Sequence, residues 1–201
     1  MGSLIEVELK FCVPDVETLI AKLVQLQASD AGAESHCDSY FRHPCRDFAA
    51  TREALRIRRI TRHRSSESID TGGATDEQDT CVTYKGAHLP GNVKARHELE
   101  WSVEASDHDG TNLQSLLLCL GFELVATVKK QRRSRQLHRS GRDVIVALDL
   151  VESVGSYAEI EVLAADENDL EAAREVVSGL AEELGLTTPE PRSYLTLLLS
   201  R

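Results

Sequence analysis

Long apolar runs are missing from this chain of 201 residues; no stretch approaches the roughly 18 apolar residues that a membrane-spanning helix needs. The N-terminus also lacks a basic region followed by an apolar one, so no secretory signal is expected and the chain reads as cytoplasmic. Positive charge is in deficit: 23 Lys and Arg stand against 33 Asp and Glu, a net charge of -10. That balance argues against nucleic acid or an anionic membrane as partner, and any polyanion would need a basic cluster sheltered from the acidic surface. Cysteine is sparse, with five residues, an odd number without a CxxC pair. Structural zinc and a disulfide framework are therefore not expected, and the thiols read as reduced and mostly buried. No glycine-rich phosphate loop and no Ser or Cys nucleophile motif occurs. His36, His43, His63, His88, His97, His108 and His138 show no His-x-x-x-His spacing and are not expected to bind metal; His97 is expected on an outer face.

What is present is an ordinary globular composition, 41% hydrophobic and 28% charged, and residues 1–201 are expected to form a single domain. Period-two alternation predicts strands over residues 4–11, 35–42, 54–62, 80–86, 93–104, 122–137, 143–151 and 157–163. Helical spacing predicts helices after the Asp15 cap, over residues 112–120 and 167–184, and a short element over 193–199. Residues 63–79, rich in Ser, Gly, Asp and Thr, read as a mobile loop.

Eight strands with few helices and mostly short connections point to an α+β fold built on an eight-stranded antiparallel β-barrel with helices packed outside. One face of strand after strand is charged: Glu6, Glu8 and Lys10; Arg56 and Arg58; Lys85; Arg96, Glu98 and Glu100; Lys130 and Arg132; Asp149; Glu159 and Glu161. The opposite face is apolar. An ordinary wet sheet over a core would satisfy this pattern. Glutamates two apart on a strand repel one another unless a cation sits between them, however, and a wet face is better served by Thr and Val. A charged lumen fits better.

Residues two apart on a strand project to one face, roughly 7 Å apart. Glu6 with Glu8, Glu98 with Glu100, and Glu159 with Glu161 are thus three carboxylate pairs aimed one way. Hard divalent ions such as Mg²⁺ or Mn²⁺ take such oxygen ligands, often completed by substrate phosphates. Facing them, Lys10, Arg56, Arg58, Lys85, Arg96, Lys130 and Arg132 supply the charge and the bidentate donors that a triphosphate accepts.

Glu6-Val7-Glu8-Leu9-Lys10 resembles the ExExK hallmark of the CYTH, or triphosphate tunnel metalloenzyme, superfamily. Residues 53–58, Thr83-Tyr84-Lys85-Gly86, residues 96–100, 146–149 and 157–161, and the terminal Ser193-Tyr194-Leu195 follow in the order seen there. Residues 40–48 are most similar to the archaeal and bacterial class IV adenylyl cyclase branch. The resemblance implies an eight-stranded tunnel in which Glu6, Glu8, Asp149, Glu159 and Glu161 bind Mg²⁺ or Mn²⁺. It implies phosphate contacts from Lys10, Arg56, Arg58, Lys85, Arg96 and Arg132, with Lys130 as an extra. Glu98 and Glu100 would orient basic residues or complete the metal shell. Glu6, Glu8, Lys10, Asp149 and Glu161 are the expected catalytic set. One departure is Arg135, where relatives often carry a Tyr. The implied reaction is ATP to cyclic AMP and pyrophosphate. The alternatives are a triphosphatase acting on inorganic triphosphate, thiamine triphosphate or a nucleotide, and a non-catalytic triphosphate or polyphosphate binder. A homodimer is a further implication.

Overall fold

Along the first strand, charged and apolar side chains meet two different interiors. The structure is a computed structural model describing residues 4–63 and 76–201. In it, β1 (Leu4–Cys12) sends Ile5, Val7 and Phe11 into an apolar layer. Glu8 and Lys10, on the other side, are only 6% and 2% exposed, so the charged face is not a wet one. The chain continues through β2 (Ser29–Arg42), β3 (Ala54–His63), β4 (Glu77–Lys85), β5 (Lys94–Ser102), β6 (Glu123–Arg139), β7 (Arg142–Val151) and β8 (Gly155–Ala164). These close into a barrel in the order β1-β5-β4-β3-β2-β6-β7-β8. All eight pairings are antiparallel.

Among the described residues five helices lie outside the barrel, and their apolar stripes explain where the second interior is. In α1 (Val16–Gln25), Asp15 caps the first turn by accepting from the Thr18 amide at 3.1 Å, and Leu19 and Leu23 are buried. In α4 (Leu170–Leu184), Ala173, Val177, Leu180, Ala181 and Leu184 recur at helical spacing and pack with Ile5, Val7, Val144, Val146, Ile160 and Val162. The main hydrophobic core thus sits between sheet and helices. α3 (Thr111–Cys119) buries Leu117 against Phe41 and Ile57 on another sector. α5 (Tyr194–Leu199), capped by Ser193, brings Tyr194 and Leu197 onto Tyr40, Val128, Val151, Val154 and Tyr157. The outer faces of β4 and β5 are less covered, and Trp101 stays 53% exposed. Among the described residues no helix is long and apolar enough to cross a membrane.

Several expectations are corrected. β3 runs through His63 and β4 starts at Glu77, so both ends of the expected 63–79 loop are strand, while residues 64–75 lie outside the described residues. β2 begins at Ser29, earlier than residue 35, because residues 29–34 are a polar extension paired with β6 beyond the helix-covered core. Such an extension has no apolar period to reveal it. α2 (Phe48–Thr51), a single turn capped by Asp47, was not expected. The five thiols are free as expected but not mostly buried: only Cys81 is, while Cys12, Cys45 and Cys119 are exposed.

Candidate active site in the barrel lumen

Inward alternation on eight strands concentrates ionisable groups that a lone strand could not bury. A buried charge is tolerated only when paired and hydrogen-bonded, and the lumen meets that condition with an almost continuous lattice. Lys85 on β4 donates to Glu6 at 2.8 Å and lies 2.6 Å from Glu98 on β5. Arg132 on β6 grips Asp149 on β7 through two bonds of 2.7 Å, and also reaches Glu159 at 2.5 Å and Glu161 at 3.5 Å on β8. Lys130 donates to Asp149 at 2.9 Å, and Lys10 lies 3.8 Å from Glu159. Arg56 approaches Glu98 at 3.8 Å, and Arg96 approaches Glu8 at 3.9 Å. Glu100 is the exception among the charged-face residues. It is exposed and holds the Thr83 hydroxyl at 2.9 Å.

Glu8, Glu159 and Glu161 each offer a carboxylate oxygen within 4.8 Å of the others. Asp149 is instead occupied by Arg132, Lys130 and the Tyr194 hydroxyl, and Glu6 by Lys85. The titration of the three clustered carboxyls is uneven. Burial pushes Glu8 up, as does Glu6, but Lys94, Lys85 and Arg96 outweigh both and hold it at about 2. Burial also pushes Glu161 up; Arg132 opposes this, yet Glu159, Glu6 and Glu8 add to it and leave it at about 8. Burial likewise works against Glu159, but the neighbouring Lys130, Arg132 and Lys10 keep it well below the carboxylate range. One carboxyl crowded by others into holding its proton is what a shared divalent cation would relieve, and an all-oxygen donor set suits Mg²⁺ or Mn²⁺. The residues present therefore fit the ion.

Four lumen residues were given no site role in the sequence reading, although His36 and the terminal Tyr194 were named in it. Asp38 on β2 is buried between Arg58, held by two bonds of 2.7 Å, and Arg56 at 3.4 Å. Lys94 donates to Glu8 at 3.2 Å. His36 is buried, its Nε2 lying 2.7 Å from Glu34. Burial, with Arg58, Lys130 and Arg132 nearby, lowers its pKa to about 4, so it is neutral. Tyr194 donates to Asp149 at 2.9 Å. Asp38 and His36 share the period-two face of a strand already recognised, and Lys94 shares that of Arg96. A strict count of inward positions on every strand finds these three. Tyr194 enters from a helix at one barrel end, where strand alternation carries no signal.

The model of the CYTH domain matches residues 4–194. PH1819 from Pyrococcus horikoshii OT3 superposes with a TM-score of 0.80 at 34% identity, covering 97% of this chain and 98% of that one. MJ0240 of Methanocaldococcus jannaschii, which carries a provisional adenylate cyclase name, is 27% identical over 196 residues, 96% of this chain and 98% of its own. Adenylate cyclase CyaB of Aeromonas hydrophila is 28% identical over 195 residues, 96% of this chain and 87% of its own. With the ExExK strand, the closed eight-stranded tunnel and a match over nearly its whole length, this chain belongs to the CYTH family.

Proposed function

We propose that this chain is a divalent-metal-dependent enzyme that binds a triphosphate in the barrel lumen, with ATP converted to cyclic AMP and pyrophosphate as its reaction. The observation that carries the proposal is the pairing of two opposed sets in one buried lumen: the Glu8, Glu159 and Glu161 triad beside Lys10, Arg56, Arg58, Lys85, Arg96, Lys130 and Arg132. A pure anion binder has no use for a carboxylate triad. Glu8, Glu159 and Glu161 would hold Mg²⁺ or Mn²⁺, with Glu6 and Asp149 adjoining. When bound, the ion neutralises phosphate charge in the ground and transition states. The basic residues leave their carboxylate partners for phosphate oxygens, fix the chain of phosphates and stabilise charge on the leaving group. In the cyclase reaction the ribose 3′-hydroxyl gives its proton to solvent as its oxygen bonds to the α-phosphorus, and the bond from the α-phosphorus to the bridging oxygen breaks, so that pyrophosphate leaves with that electron pair. The cyclase names of the relatives favour this outcome.

Hydrolysis is the second reading, and a specific observation favours it. The inward Tyr rings, Tyr40 and Tyr157, pack with Tyr194 in one apolar cluster at the barrel end that α5 covers. No other Phe, Tyr or Trp occupies an inward position among the described strands, and residues 64–75 contain none. A nucleobase thus meets no Phe, Tyr or Trp ring on the described strands outside that packed cluster, whereas inorganic triphosphate needs none. Incubating the protein with ATP, inorganic triphosphate and thiamine triphosphate, each with Mg²⁺ or Mn²⁺, separates the readings. Cyclic AMP is expected from ATP; orthophosphate alone would move the assignment to triphosphatase, and binding without turnover would reject an enzyme.

The raised Glu161 pKa sets a pH dependence. A carboxyl whose folded pKa lies above 4.5 stays protonated in the metal-free protein until about pH 8, and a ligand carboxylate must shed that proton before it coordinates. Mn²⁺ affinity is therefore expected to rise about tenfold per pH unit from pH 6 to 7.5 and to level off above 8. Calorimetric titration at several pH values measures it, and a flat profile would remove Glu161 from the metal shell. The same sign applies to folding: Glu161 favours the metal-free fold fully below pH 4.5, and that contribution is lost as pH rises through about 8.

A further inference from the structure

Tyr194 belongs to no element of the barrel, yet it touches three of its charged residues. Its ring centroid lies 4.3 Å from the Lys10 ammonium and 5.2 Å from that of Lys130. Its hydroxyl donates to Asp149 at 2.9 Å, on the same oxygen that receives Lys130. Tyr157 supports the ring edge-on, centroids 5.4 Å apart at 70°. The short helix that carries Tyr194 is fastened to the barrel on both sides. Before it, the Glu190 amide donates to the carbonyl of Lys10 itself at 2.6 Å, and Pro189 bridges to Phe11. After it, Arg201 donates to the Val154 carbonyl at 2.6 Å.

Lys10 is 2% exposed and, among the described residues, has one carboxylate within 4 Å, that of Glu159 at 3.8 Å, while Glu8 and Glu190 act on it from further away. A buried ammonium so weakly paired needs another partner, and the negative face of an aromatic ring is one. The choice of ring over carboxylate matters for binding. A carboxylate would neutralise the lysine and compete with an incoming phosphate, whereas a ring face holds the cation and leaves its full charge available. We infer that Tyr194 is a positioning residue, the floor of the phosphate site, holding Lys10 and Lys130 so that both ammonium groups face the innermost phosphate of a bound triphosphate. This rests on the triphosphate reading above.

Calorimetric titration of inorganic triphosphate into the full chain tests it, comparing wild type with Tyr194→Phe and Tyr194→Leu. The Phe variant keeps the ring and is expected to hold affinity within about threefold; the Leu variant removes both cation–ring contacts and is expected to lose about tenfold. Equal affinity in wild type and a folded Leu variant, or equal losses in Phe and Leu, would overturn the inference while leaving triphosphate binding in place. No binding by wild type would instead overturn the triphosphate reading and the inference with it. A measurement on wild type alone guards against a Leu variant that does not fold. The ε-methylene protons of Lys10 are expected well upfield of the ordinary lysine position under the ring current, and an ordinary shift refutes the contact.

Discussion

Glu8→Gln and Glu161→Gln are each expected to lower metal-dependent turnover at least about 100-fold and to weaken Mn²⁺ binding, while changing the stability of the metal-free protein in opposite directions. Gln keeps the size and one carbonyl oxygen of Glu and removes its charge. Both residues belong to the 4.8 Å carboxylate triad, so each loss takes a charged ligand from the ion. Their electrostatic positions differ. Glu8 is held at about 2 by Lys94, Lys85 and Arg96, so its negative charge stabilises the folded state, and the substitution leaves those cations under-compensated. Glu161 is held at about 8 by burial and by the neighbouring Glu159, Glu6 and Glu8, so its charge opposes folding. Removing it is expected to raise the Tm of the metal-free protein at pH 8.5 by about 2–4 °C, the shift that roughly 1 kcal/mol produces in a chain of this size. Glu8→Gln is expected to lower Tm by at least as much. Thermal melts with and without Mn²⁺ measure both. Unchanged metal dependence in either variant, or a loss of stability in Glu161→Gln, would contradict the arrangement.

That the two glutamates differ could not have been read from the sequence, which presents Glu6-x-Glu8 and Glu159-x-Glu161 as equivalent pairs. Alternation says which side chains share a face, because the strand period is two. It does not say which faces meet across a lumen. Glu8 is separated from Lys94 and Arg96 by more than 80 positions in the chain, and only the pairing of β1 with β5 brings them together. The closed barrel was legible because charge recurred on one face of seven strands and apolar residues on the other, a pattern costly to explain as a wet sheet. Glu100 shows the limit of that inference. It continues the Arg96, Glu98 alternation, yet β5 carries it past the enclosed part of the lumen and into solvent. The floor was illegible for a different reason. Tyr194 acts from a six-residue helix whose place depends on the Pro189 and Glu190 contacts to β1, and no local period encodes a contact between chain ends.

Asp38 marks the same boundary and carries the largest expected effect on stability. Asp38→Ala is expected to destabilise the metal-free fold by about 3–5 kcal/mol, the usual result of removing one member of a buried ion pair. Asp38 is 2% exposed and, among the described residues, is the only carboxylate within 4 Å of Arg58, while Arg56 would retain Glu98 at 3.8 Å. Burial raises the Asp38 pKa, but Arg58 and Arg56 reverse this and hold it far below the carboxylate range, so the carboxylate is charged at neutral pH. Alanine therefore leaves the buried Arg58 guanidinium without its counter-charge and Arg56 with the more distant Glu98 alone. The deficit is of the kind a bound polyanion can fill. If Arg56 and Arg58 are phosphate contacts, inorganic triphosphate will raise the Tm of Asp38→Ala by more than it raises that of wild type, because the ligand replaces a lost partner in one case and displaces an existing one in the other. Thermal melts across a triphosphate series compare the two slopes. Equal slopes would place the two arginines outside the phosphate site. A steeper slope in the variant would mean that Asp38 holds the arginines in the empty tunnel and yields them to substrate, so that one buried carboxylate serves stability when the lumen is empty and gives way when it is filled.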